Sequence, residues 1–218
     1  MSDFLGIDAA DLAEVRALNK AFLRAFRRQD DAVRRDHLAV DVVAKMTHLT
    51  DWEIERLARI PVLLGISVTD AAYWDAWFDR DAQPSLFSTA ATVTPTTEVT
   101  VATLLFLWQT ARANPYVARL LSGASVSWCE RLAGCRLTWL VRRAHARPDF
   151  LSPRHAAHQH FWLRLLRDGV NEDREIRHAA HLCALQTALT VAEEIPVDRF
   201  RTAACRAHVP VFQVAEPD

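Results

Sequence analysis

The chain has 218 residues, 50% of them hydrophobic and 24% charged, with a net charge of −1. That composition excludes intrinsic disorder and a disulfide-stapled miniprotein, and it allows one good core or two small ones. The charge is uneven: residues 1–84 hold 15 acidic and 11 basic side chains and residues 85–218 hold 12 and 15, so the two parts carry −4 and +3.

Taken in order, MSDFLGIDAADLAEV lacks a basic segment followed by an apolar one, so it is no secretory signal and the expected location is cytoplasmic. Residues 8–35 place Leu12, Val15, Leu18, Phe22, Ala25 and Phe26 on one stripe, which predicts a long amphipathic helix. A shorter helix follows over 38–48. Thr50 and Glu53 then form a capping box that starts a helix running to about Ile60, before Pro61. A further helical segment holds Tyr73, Trp74, Trp77 and Phe78.

QPSLFSTAATVTPTTEV, residues 83–99, carries one charge among many Ser, Thr and Pro and reads as a linker. The division expected is a helical unit over 1–82, a linker over 83–99, and a second helical unit with C-terminal helices over 100–218. Beyond the linker, helices are predicted over Val99–Ala113 and, past the Asn114–Pro115 break, over 116–122. Ser127 and Glu130 form a second candidate capping box, and its helix is followed by another ending near Pro148. Two more are predicted over 153–167 and 172–193, with the C-terminal VPVFQVAEPD extended. Strand alternation is almost absent, so the fold class is all-α. The longest apolar run, from Val99 to Trp108, is shorter than the ~20 residues of a membrane span, and no membrane partner is expected. Cys129, Cys135, Cys183 and Cys205, irregularly spaced, read as reduced core thiols.

LAVDVVAKMTHLTDWEIERLAR, residues 38–59, and ASVSWCERLAGCRLTWLVRRAH, residues 124–145, share an apolar pattern at an offset of 86. Matched pairs include Val42 with Trp128, Met46 with Leu132 and Ile54 with Leu140. Identities number only three, so spacing alone leaves a true duplication and a chance match equally open.

Residues 11–71 resemble the flagellar transcriptional regulator FlhD family, through Glu14, Asn19, Phe22, Leu23, Leu49, Thr50, Leu57, Ala58 and the Leu63–Leu64 pair. Leu121, Gly123, Leu132, Ala133 and Leu137 match the same pattern in a stretch of about 25 residues of the second half. The resemblance implies two FlhD-like units fused as an intramolecular pseudo-dimer, because the family works as a homodimer. It implies a regulator acting on DNA directly or with a partner regulatory protein subunit, and a monomer or dimer in isolation. Gly65 or Ile66 stands where the family often has a cysteine, so no intersubunit disulfide is implied, and the second half lacks the asparagine-bearing N-terminal helix.

The candidate DNA-binding residues are Arg136, Arg142, Arg143 and Arg147, within an arginine-rich stretch where a helix pair could place guanidinium groups on phosphates and guanine edges. All but two of the 26 basic residues, Lys20 and Lys45, are arginine, which suits phosphate or carboxylate but is also what a GC-rich genome produces. A solvated face packed beside the acidic half is the other reading. Tyr73, Trp74, Trp77 and Phe78 are candidate partner-binding anchors, shared between the halves or with another chain. The seven tryptophans are expected to face inward. His155, His158, His160, His178 and His181 cluster at helical spacing but lack an HExxH pattern, and they read as surface or core histidines with no metal and no cofactor. With five glycines there is no phosphate-cradling loop, and no nucleophile or acid–base pair marks an enzyme. Two functions of different class therefore stand, a FlhD-type transcriptional regulator and a helical interaction adaptor or anti-regulator without DNA binding.

Overall fold

The computed structural model describes residues 7–28, 38–66, 74–75, 77–78, 95–146 and 151–190. Helix α1, Ala9–Arg27, opens on a reciprocal cap: the Asp8 carboxylate accepts the Asp11 N–H at 2.8 Å and the Asp11 carboxylate accepts the Asp8 N–H at 3.2 Å. It buries Val15, Leu18, Phe22, Leu23, Ala25 and Phe26, whereas Leu12, expected on this stripe, is exposed. The helix ends at Arg27, short of the 8–35 span, with Arg24 and Arg27 in its last turn. Cations there complement the helix dipole, and residues 29–37 lie outside the described residues.

Helix α2 spans Val40–Thr47 and α3 spans Asp51–Leu57. The expected capping box starts α3: the Thr50 hydroxyl accepts the Glu53 N–H at 3.2 Å and the Glu53 carboxylate accepts the Thr50 N–H at 2.7 Å. Its exit, Ile60 to Ile66, is almost wholly buried and is held by one side chain of α1. The Asn19 carboxamide donates to the Val62 carbonyl at 2.9 Å and accepts the Leu64 N–H at 2.8 Å. A fully buried amide with both ends bonded satisfies an irregular segment that has no helix or sheet to do so.

In the second half α4 spans Pro95–Ala113, α5 Pro115–Ser122, α6 Val126–Gly134, α7 Leu137–Ala146, α8 Gln159–Asp168 and α9 Arg174–Thr190. Helix α4 includes residues 95–99, assigned to the linker from their Thr and Pro content; residues 83–94 lie outside the described residues. Threonines enter this helix because their hydroxyls bond back one turn, Thr100 to the Thr96 carbonyl at 2.9 Å and Thr110 to the Phe106 carbonyl at 2.8 Å. Asn114 caps α5 and Pro115 occupies its first turn, as the Asn-Pro break predicts. The cap of α6 is Ser125, whose side chain accepts the Trp128 N–H at 3.1 Å, not Ser127, which lies inside the helix.

Helix α8 begins at Gln159, six residues later than the 153–167 expectation. The N–H groups of Ser152 and Arg154 are taken by the Gly65 and Leu64 carbonyls at 3.0 and 2.8 Å, and His155 adopts a left-handed backbone with φ 55°. Neither state is compatible with a continuing helix. These bonds flank an isolated antiparallel bridge between Ile66 and Leu151. All nine helices of the described residues are α-helices and no strand is formed among them, so the fold is all-α as expected.

The helix starts keep the sequence offset. Ala9, Val40 and Asp51 begin α1, α2 and α3, and Pro95, Val126 and Leu137, each 86 positions on, begin α4, α6 and α7. The two halves do not have separate cores. Helix α4 packs against α1 as well as α5, α6 and α7, and one hydrophobic cluster runs from Val15 and Phe22 through Leu104 and Leu107 to Trp162.

Candidate nucleic-acid and partner surfaces

Helix α7 carries the arginines singled out for DNA. Its inner face is Leu140, Arg143 and Ala144, at 0%, 6% and 1% exposure, the i, i+3, i+4 set of a buried helix stripe. Arg143 therefore points inward. Its Nε donates to the Trp77 carbonyl at 2.9 Å, and its guanidinium stands 5.8 and 5.9 Å from the Trp77 and Trp139 ring centroids. It is a core tie and is withdrawn as a DNA contact. Arg142 is half-buried and Arg136 is exposed, while Arg147 lies outside the described residues.

The proposed partner anchors are likewise internal. Trp74 and Trp77 are 3% and 2% exposed. Trp74 meets Trp128 edge-on with centroids 5.2 Å apart, Trp77 meets Trp139 at 5.1 Å, and Phe78 stacks on Trp139 at 6.5 Å. Three aromatic groups of the first half thus lock into two of the second, which leaves Trp74 and Trp77 closed to an outside partner; Phe78 is half-buried in the same cluster, and Tyr73 lies outside the described residues. Of the seven tryptophans, Trp52 departs from the inward expectation, at 47% exposure with the Arg56 guanidinium 3.2 Å over its ring.

The start of α7 and the end of α4 form a second basic corner, built around a backbone carbonyl. The Trp108 indole N–H donates to the Cys135 carbonyl at 3.0 Å, and the exposed Arg112 guanidinium lies 4.8 Å from the Trp108 ring centroid. Exposed Arg136 and Leu137 follow immediately on Cys135. A comparable corner lies in the first half at Leu49, 86 positions earlier, where Arg27 donates to the Leu49 carbonyl at 3.0 Å, although from a different helix position, since Arg27 corresponds to Ala113 and Trp108 to Phe22. There Asp51 holds the cations, Arg27 at 3.0 Å and Arg24 at 3.8 Å. Position 137 carries leucine where position 51 carries aspartate, and position 139 carries tryptophan where position 53 carries glutamate. Among the described residues Arg112 and Arg136 have no carboxylate partner.

Arg112 opens the arginine-rich stretch that runs on to Arg154, and nothing local in the sequence marks Trp108 as its support. The signal available was the 86-residue offset, applied to the charged positions as well as the apolar ones.

The histidines sit around the α8–α9 hairpin. His155 faces His158 and Phe161 with ring centroids 5.8 and 5.1 Å away, and burial, with Arg154 and His158 adding to it, depresses its pKa to about 4. His158, His160, Arg164 and Cys183 line a cleft of about 200 Å³ between the two helices. No group of three metal-ligating side chains occurs among the described residues. Cys129, Cys135 and Cys183 are free; burial pushes the Cys129 thiol up to about 12, which makes it inert at neutral pH, and Cys205 lies outside the described residues. No described helix is long and apolar enough to cross a membrane.

Arg154, which no local pattern separates from the other arginines, is 3% exposed. It donates to the Leu121 carbonyl at 2.9 Å and the Ala188 carbonyl at 3.1 Å, at the ends of α5 and α9. The carbonyl-rich helix ends stand in for a carboxylate. Compared with known protein families, with characterised proteins and with solved structures, the chain matches none.

Proposed function

We propose that the protein is a transcriptional regulator of the FlhD type in which two family-like units are fused, acting on DNA directly or with a partner regulatory subunit. The observation that carries this reading is the common offset of the helix starts, α1, α2 and α3 being followed at 86 residues by α4, α6 and α7. Lengths agree for two of the three pairs, 19 residues for both α1 and α4 and 8 against 9 for α2 and α6, while α7 has 10 residues against 7 in α3. The antiparallel bridge joins Ile66 to Leu151, one residue from its 86-residue counterpart, as strands crossing near a two-fold axis would be joined. A fused pair keeps two units at high effective concentration and lets them diverge. Their charges of −4 and +3 fit such divergence.

A second reading, an interaction adaptor that keeps the helical pair without DNA binding, is favoured by the inward position of Arg143 and the net charge of −1. Fluorescence anisotropy on duplex fragments of the host genome, with the protein alone and with whatever co-purifies from its host, separates the two. Binding that weakens steeply with salt supports the regulator. No binding at low salt in either preparation gives the adaptor.

A further inference from the structure

We infer that the corner made by Trp108, Arg112, Arg136 and Leu137 is the surface that meets the phosphate backbone of nucleic acid. This rests on the regulator reading and replaces the α7 helix face, from which Arg143 has turned away, with a different site.

The first half of the chain supplies an internal comparison. Both corners are organised around the carbonyl of equivalent residues, Leu49 and Cys135, and each carbonyl accepts a hydrogen bond from a side chain of its long helix, Arg27 or Trp108, at 3.0 Å. In the first, Asp51 is within 3.0 Å of Arg27 and 3.8 Å of Arg24, and Glu53 closes the capping box beside it. That corner is electrostatically closed. In the second, Leu137 and Trp139 replace both carboxylates, and Arg136 replaces the capping Thr50. At the same offset Thr110 and Ala113 stand for Arg24 and Arg27, so two acids and two bases are lost together, and the positive charge of the second corner comes from Arg112 and Arg136, which stand for Phe26 and Thr50.

Position and stiffness favour phosphate as the occupant. Arg112 is held over the half-buried Trp108 ring, so its guanidinium is oriented before any ligand arrives and loses less rotamer freedom on binding. The indole is in turn fixed by its bond to the Cys135 carbonyl. Arg136 leaves the turn at the start of α7, its carbonyl accepting the Leu140 N–H at 3.0 Å while its side chain stays exposed. Arg136 beside the exposed apolar Leu137, with Arg112 held over the Trp108 ring that bonds the Cys135 carbonyl, suits a backbone of phosphates and sugars. An acidic protein surface is the competing occupant and enters as an outcome below.

The test uses the full-length chain, a labelled 25-base-pair duplex and a salt series read by fluorescence anisotropy. It compares wild type with R112E/R136E, with the milder R112Q/R136Q, and with R24E/R28E in the acidic half. Helical content and thermal melts check the fold; should the charge reversal unfold, the glutamine pair decides. The expected result is a loss of about tenfold or more in R112E/R136E, a smaller loss in R112Q/R136Q, and little change in R24E/R28E. The log–log salt slope should shrink by about two, near one for each phosphate contact removed. Wild-type binding retained in both corner variants overturns this surface and leaves the regulator reading standing. Absence of wild-type binding, with and without co-purifying protein, overturns both. Displacement of the duplex by poly-glutamate at equal charge concentration would also overturn it, by assigning the corner to an acidic protein.

Discussion

The Arg143 guanidinium is bonded to the Trp77 carbonyl, Nε to O at 2.9 Å, across 66 residues of sequence. The bond joins the aromatic segment of the first half to α7 of the second. Arg143→Ala leaves that carbonyl without its donor and opens space beside the Trp77 and Trp139 rings. The expected loss is about 2–4 kcal/mol in urea unfolding, since a charged hydrogen bond and its packing go together. Arg136→Ala, at an exposed position, should change stability by no more than about 0.5 kcal/mol. Equal effects from the two would contradict the inward placement of Arg143.

Asn19 is the only buried group of α1 that bonds outside its helix on both its donor and acceptor sides, to Val62 and Leu64, among the described residues. Asn19→Leu keeps the branched shape and strands the Leu64 N–H and Val62 carbonyl in the core. A loss of about 2–4 kcal/mol is expected. Asn19→Asp should also destabilise at neutral pH, because its second oxygen would face the Ile60 and Val62 carbonyls, which the amide nitrogen reaches at 3.4 and 2.9 Å. Hydrogen exchange at the Leu64 amide reports the local change directly.

Gly123 takes φ 74° at the end of α5, and a Cβ there would stand 2.7 Å from Arg154 Nη2. Gly123→Ala combines a left-handed alanine with a contact to a buried guanidinium that is itself tied to Leu121 and Ala188. The cost should exceed the ~1 kcal/mol typical of the backbone effect alone. Thermal melts of Gly123→Ala against Gly134→Ala, where a Cβ would meet nothing within 4 Å, isolate it.

Acid should loosen the α8–α9 end of the molecule first. His155 is depressed to about 4 in the fold from an ordinary 6.5, so the unfolded chain binds the proton more readily. The stability this residue confers is complete above about 6.5 and is lost as pH falls from there toward 4. His181, also lowered by burial, acts in the same direction. His155→Asn tolerates the left-handed backbone and removes the titration, so the slope of melting temperature between pH 4 and 6.5 should flatten but not vanish. An unchanged slope would place the acid sensitivity elsewhere.

The helices were legible wherever punctuation and period agreed. Thr50 with Glu53, and Asn114 with Pro115, marked two helix starts because the capping chemistry is local. The end of α1 and the late start of α8 were not legible. The second depends on long-range bonds from residues 152–154 to Leu64 and Gly65. Arg143 could have been placed: it lies three positions after Leu140 and one before Ala144, on the buried stripe, but its charge argued for solvent. Arg154 could not, since its partners are carbonyls at helix ends 33 and 34 residues away. The basic corner needed both the offset and the knowledge that Asp51 neutralises its counterpart.

The central claim is that two related halves form one pair within one chain, and splitting the chain in the 83–94 segment tests it most directly. Residues 1–88 and 89–218 would be produced separately, then mixed, with helicity followed by circular dichroism and mass by light scattering. Because Trp74 and Trp77 pack on Trp128 and Trp139, and α1 on α4, each half alone should show reduced helicity and a weak or absent melting transition. Mixing should restore both in a one-to-one complex. Halves that fold fully alone and do not associate would contradict the account.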